Sequence, residues 1–192
     1  MVWAGSPPSV PPARTRRKKE KSDTISMLRE ALDVGRRSEI DAAYQEGSEF
    51  LQSIGVESKG EVARILDIAM NPNSLFLTLR DKKRAVNVHA RQLSVESDMK
   101  PVVACLQSHG LTDRDIVKIV TDHPPVLCYN PEERIIPFFD FLKSIGITPE
   151  KVAKRPTLLG LEVNKSLRRI VNYLQEVEGK TIDEIAVLLE TI

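Results

Sequence analysis

Aromatic residues are scarce, at 5% of 192 residues. A core built from this chain must be filled by Leu, Ile and Val, and a stacking platform for single-stranded nucleic acid is disfavoured. Cysteine is nearly absent: Cys105 and Cys128 form no CxxC pair, and His89, His109 and His123 complete no metal-ligand spacing. Both cysteines sit among apolar neighbours and read as reduced core thiols, so neither a metal nor another cofactor is expected. No apolar run approaches the length of a membrane span, and no membrane association is expected. An excess of one charge is missing too, since the net charge is +1. Residues 1–19 nevertheless hold Arg14, Arg16, Arg17, Lys18 and Lys19 and no acid, leaving the remainder slightly acidic. Any nucleic-acid-binding face must therefore be local.

Residues 1–22 are rich in Pro, Ser and Arg and show no helical stripe. They read as a disordered basic tail. Such a tail is compatible with a targeting segment, a nuclear localisation signal, a nonspecific nucleic-acid arm or a solvated linker. Residues 23–192 read as one domain. Its apolar residues recur at helical spacing: Leu28, Ala31 and Leu32, then Ile40, Ala43, Tyr44, Phe50, Leu51 and Ile54. Strand-like alternation is weak, and the body is expected to be all-α.

Self-similarity is the strongest signal present. Residues 94–112 match 130–148 at an offset of 36: Glu96 with Glu132, Pro101 with Pro137, Leu106 with Leu142, Ser108 with Ser144, Gly110 with Gly146, Thr112 with Thr148. An earlier copy reads Phe-Leu-Gln-Ser-Ile-Gly at 50–55, and a weaker one runs from Leu174 to Gly179. Each copy predicts a helix closed by a left-handed glycine, at Gly55, Gly110, Gly146 and Gly179. A Ser or Thr cap then opens a second helix: Ser58 with Glu61, Thr112 with Asp115, Thr148 before Pro149, Thr181 with Glu184. Proline ends that second helix in His123-Pro124-Pro125-Val126-Leu127, Arg155-Pro156-Thr157-Leu158-Leu159 and Asn71-Pro72-Asn73-Ser74-Leu75, and the apolar residues behind it are expected to enter the core. Pro101 and Pro137 fall early in the first helices, which must start late or kink there. The pattern gives about three units and a partial one, stacked as a helical-repeat solenoid.

The run Leu-x-x-x-Gly-Leu-Thr, a helix, Pro-Pro-Val-Leu, then Glu132, Pro137 and Phe141-Leu142 resembles the motif of the mitochondrial transcription termination factor (mTERF) family. The resemblance covers roughly residues 94–174 and is weaker over 50–93. It implies a right- or left-handed superhelix of helix pairs with a short 3₁₀ element at each Pro. It also implies a monomer that binds double-stranded nucleic acid, DNA or structured RNA, in a plastid or mitochondrion, regulating transcription, including its termination, or RNA processing. Pentatricopeptide and tetratricopeptide repeats share the period but place their residues differently. The alternative function is a protein-interaction scaffold on the same solenoid, which the near-neutral charge favours.

Phosphate contact calls for Lys, Arg and helix N-termini. The basic residues that follow the Pro breakers are Arg80, Lys82, Lys83, Arg84, Arg134, Lys154, Arg155, Lys165, Arg168 and Arg169. Individually they are ordinary solvated bases; as a set they are the expected binding face. No catalytic residue is expected. Cys128 and His123 are near each other in sequence, but no carboxylate or oxyanion arrangement accompanies them.

Overall fold

A computed structural model describes residues 13–78 and 87–191, with side chains from residue 26 onward. All regular structure among them is helical. By contact the chain divides into two units, Met1–Asp41 and Ala42–Ile192, and the division falls inside the first helix. That helix, α1, spans Ala13–Ser53 and includes residues 13–22, where the sequence shows no apolar stripe. A stretch so rich in Arg and Lys has favourable helix propensity without needing a buried face. Its residues 26–42 are exposed throughout.

The second unit repeats one motif. The end of α1 pairs with α2 (Lys59–Met70). After the short helix α3 (Leu75–Thr78) come three more pairs: α4 (Lys100–Ser108) with α5 (Asp113–Asp122), α6 (Ile136–Ser144) with α7 (Pro149–Lys154), and α8 (Arg168–Glu176) with α9 (Ile182–Thr191). The pairs pack in chain order. Helix α2 lies against α5, α5 against α7 and α7 against α9, while α4 and α6 meet the start of the next first helix. Each helix of the four pairs gives apolar residues to one continuous core, as with Ile116, Ile119 and Val120 of α5 or Val62, Ile65, Leu66 and Ala69 of α2. Complete burial of one such side chain contributes about 1.5–3 kcal/mol. Gly47 allows α1 to approach α2, since a Cβ there would lie 2.9 Å from a Leu66 methyl.

The turns follow the pattern read from sequence. Gly55, Gly110, Gly146 and Gly179 all have positive φ. Thr112 and Asp115 form a reciprocal capping box, and Thr181 and Glu184 do the same. Ser58 accepts from the Glu61 amide. Thr148 departs from expectation: its side chain makes no cap bond. The tighter bond from the Lys151 amide to the Thr148 carbonyl, 3.1 Å, closes that turn instead.

Pro101 and Pro137 are the second residues of α4 and α6, so the α-helices start late, at Lys100 and Ile136, one of the two outcomes expected. Each lies just after a π turn, Val95–Met99 or Pro131–Ile135, that precedes the α-helix. The missing proline N–H coincides with the change from five-residue to four-residue hydrogen bonding. The third copy keeps its π turn, Val163–Leu167, with Arg169 in the proline position. Proline is therefore compatible with the π turn without being its cause.

The Pro breakers open 3₁₀ turns at Pro124–Cys128 and Pro156–Gly160, preceded by His123 and Arg155 with nearly equal backbone angles. Val126, Leu127, Leu158 and Leu159 are buried, as expected. The first copy departs from this. Ser74, not an apolar residue, is buried there and donates to the Asp67 carboxylate at 2.6 Å, while Leu75 is exposed. Helix α7 is four residues shorter than α5, six against ten. That is about one helical turn, so the chain meets its Pro breaker on the same helix face.

Candidate nucleic-acid interface

The expected basic residues lie on different parts of the repeat. Arg80, Lys82, Lys83 and Arg84 are outside the described residues. Arg134 is fourth in its π turn, where the neighbouring copies have Asp98 and Ser166. Lys165 is third, matching Ser97 and Glu133. Arg168 opens α8 and matches Lys100 and Ile136. Stacking alone does not join these residues into one column.

Several also have neighbours within the protein. Lys165 Nζ is 2.9 Å from the Glu162 carboxylate, which holds that acid below its usual range. Lys154 Nζ lies 3.7 Å from Glu190, which also pairs with Lys151 at 2.8 Å across α7 and α9. The Arg168 guanidinium sits 4.8 Å above the Phe141 ring. Arg155 is half-buried at the junction before Pro156, and Arg169 is exposed. Acids interleave with these bases at the starts of the first helices: Glu96, Asp98, Glu132, Glu133 and Glu162. Arg91 pairs with Asp98 at 2.8 Å, and Lys100 pairs with Glu96.

The most structured of the ten is Arg134. Its Nη1 donates to His89 Nε2 at 2.9 Å and its Nη2 to the Gly160 carbonyl at 3.2 Å, while its Cζ lies over the Tyr129 ring, 4.1 Å from the centroid. Arginine has no acceptor, so His89 Nε2 must accept and the imidazole must be neutral with its proton on Nδ1. Burial and the Arg134 charge both push the His89 pKa down. Tyr129 Oη is 2.8 Å from His123 Nε2. Burial, with the charge of Arg134, drives His123 down to about 4, and burial raises Tyr129 to about 12. Both rings are therefore neutral near neutral pH. Asn87 pins the incoming segment by donating to the Ile68 carbonyl at 2.9 Å. The cluster ties residues 87–89 to two successive 3₁₀ turns. Nothing in the sequence marked Asn87, His89 or Tyr129, because their partners are far away along the chain.

Cys128 is buried and its thiol donates to the Ala69 carbonyl at 3.1 Å, while His123 turns to Tyr129. Burial raises both cysteine pKa values. Among the described residues there is no cluster of His, Cys, Asp or Glu that could hold a metal ion, and no helix is long and apolar enough to cross a membrane.

Helix pairs closed by glycine and reopened through a Pro-headed 3₁₀ turn are the arrangement that the sequence resemblance implied. The mTERF family model matches residues 103–192, from within α4 through α9. Residues 103–192 form an mTERF domain. No curated protein and no solved structure gives a match. The mTERF family is in general a nucleic-acid-binding, non-enzymatic family linked to organellar transcription. The match reaches further toward the C-terminus than the resemblance by eye, taking in the α8–α9 pair. It starts after the 50–93 stretch, where the polar Ser74 replaces the apolar plug.

Proposed function

We propose that this protein binds double-stranded nucleic acid, DNA in the first instance, as a regulator of organellar gene expression without catalytic activity. The observation that carries the reading is the mTERF match over three successive helix pairs. Binding rests on phosphate contacts, with little base readout. The bases assigned to it are Arg168, Arg169 and Lys165 at the last pair, with Lys154 and Arg155, and Arg80 to Arg84 in the segment outside the described residues. Arg134 belongs to this set only in part, because two of its donors are engaged internally. Plastid or mitochondrial residence, transcription termination and a targeting role for residues 1–22 belong to the same proposal.

The test is a salt titration of binding to random duplex DNA and to single-stranded RNA. Phosphate binding predicts affinity that falls steeply as salt rises. No binding to either at low salt would overturn the reading. The second reading, a scaffold for protein partners, is favoured by the acids interleaved among the bases and by their ion pairs. Fluorescent fusions with and without residues 1–22 test the organellar assignment.

A further inference from the structure

Two successive junctions between helix pairs are built differently at one place. Repeat register sets Ile54 with His109, Val103 with Phe139, Gln107 with Lys143 and Asp113 with Pro149. At the later junction His109 stacks on Phe139, with ring centroids 4.6 Å apart. At the earlier junction Ile54 and Val103 stand in those two places, and neither carries a ring. There the end of α1 and the α4–α5 pair leave a hollow of about 220 Å³. Its apolar wall is Ile54, Val103 and Ile116, and its rim is Ser53, Gln107 and Asp113. Val103 and Ile116 are buried, whereas all three rim residues are exposed. The rim differs between the junctions as well. Gln107 Nε2 donates to the Asp113 carboxylate at 3.3 Å, and that carboxylate keeps further acceptor sites. The matching side chains, Lys143 and Pro149, have no acceptor. The earlier junction thus has both the room for a ring and an acceptor at its mouth.

We propose that this hollow binds one tyrosine side chain of a protein partner, its ring on the Ile54–Val103–Ile116 wall and its hydroxyl donating to the Asp113 carboxylate. The repeat itself argues for a ring, since the same place one unit later is filled by a stacked aromatic pair. The rim argues for tyrosine, which joins an apolar ring to a polar tip. A phenylalanine would cover the carboxylate without a bond in return, and a nucleotide would bring its phosphate to a like charge. The hollow is smaller than the roughly 300–1,000 Å³ of small-molecule pockets, so it suits a single anchoring side chain whose backbone stays outside. None of these residues is among the bases assigned to nucleic acid, so the two sites are tested separately.

Methyl NMR of the full chain, titrated with N-acetyl-tyrosinamide, tests this. Saturable shifts are expected at the Ile54, Val103 and Ile116 methyls, with a dissociation constant on the order of millimolar, as one ring supplies. Val103→Phe installs the residue of the later junction and should abolish the shifts at Ile54 and Ile116, with helical circular dichroism unchanged. If that substitution disturbs the fold, Asp113→Ala decides, because Asp113 takes no part in the Thr112–Asp115 capping box. It should weaken N-acetyl-tyrosinamide by about tenfold and bring it level with N-acetyl-phenylalaninamide. Absence of saturable shifts would overturn the proposal, as would shifts that persist in folded Val103→Phe. Equal binding of the tyrosine and phenylalanine probes by the native chain would overturn it too. Binding of p-cresol without N-acetyl-tyrosinamide would overturn the protein partner in favour of a free phenol. Neither substitution should change duplex DNA binding, so failure of the nucleic-acid reading leaves this one standing.

Discussion

Arg134 shows how a basic residue can hold the fold together. Its guanidinium sits over the Tyr129 ring while two of its nitrogens donate to His89 and Gly160, a combination that a lysine ammonium does not reproduce. Arg134→Ala should lower unfolding stability by about 1–3 kcal/mol. Arg134→Lys should recover little of that loss. Both should leave the salt dependence of duplex binding nearly unchanged; denaturant titration beside a binding titration separates the two effects. His123 supplies a pH signature from the same cluster. Its folded pKa, about 4, is below the ordinary 6.5. The unfolded chain therefore binds the proton first as pH falls. The stabilisation is complete above about pH 6.5 and is lost towards about pH 4, to a limit of about 3 kcal/mol. His89 is displaced in the same direction and adds to the slope. His123→Asn, which installs the residue found at the matching position Asn71, should flatten the dependence between neutral pH and about pH 4 even as it lowers overall stability. Urea midpoints measured across that range check it; an unchanged slope would show that His123 is not the titrating group.

Turn elements were the most legible part of the sequence, because a left-handed glycine and a Thr-x-x-acid cap are local signals. Gly110 has φ 85° and an added Cβ would meet nothing within 4 Å. Gly110→Ala thus isolates backbone strain and should destabilise by about 1–2 kcal/mol. Gly35, inside α1, also has open space around it. Gly35→Ala should instead strengthen the helix by about 1 kcal/mol. Thermal unfolding of the two variants should shift in opposite directions, with the Gly35 effect read from helical content. The same locality explains where reading from sequence stopped. A π turn leaves no residue signature, since the copy with Arg169 has one just as the copies with Pro101 and Pro137 do. The buried Ser74 could not be told from an apolar plug residue without seeing Asp67 accept from it. For the candidate site, the residue types were legible but their surroundings were not. Lys165 and Glu162 are neighbours in sequence, whereas Arg168 over Phe141 and Arg134 beside His89 are set by stacking between units.

Across the whole molecule, charge decides between the two functional readings. The acids at the helix starts, Glu96, Asp98, Glu132, Glu133 and Glu162, would oppose phosphate wherever they outnumber accessible bases. The α8 end escapes this most clearly, with Arg168 and Arg169 exposed and Lys165 countered by a single acid. If binding occurs there, each neutralised phosphate on duplex DNA contributes a slope of about −0.9 to the dependence of log affinity on log salt. Replacing Lys165, Arg168 and Arg169 by Ala should weaken binding similarly across sequences and flatten the slope by up to roughly three units. The Lys165 share should be the smallest, because Glu162 already offsets its charge. Arg168 covers Phe141, so circular dichroism must first show an intact helical fold. Binding that persists with an unchanged slope would move the interface elsewhere and leave the function standing. The residues to exchange next would then be Arg80, Lys82, Lys83 and Arg84, where four bases stand close together in the sequence with Asp81 the one acid among them.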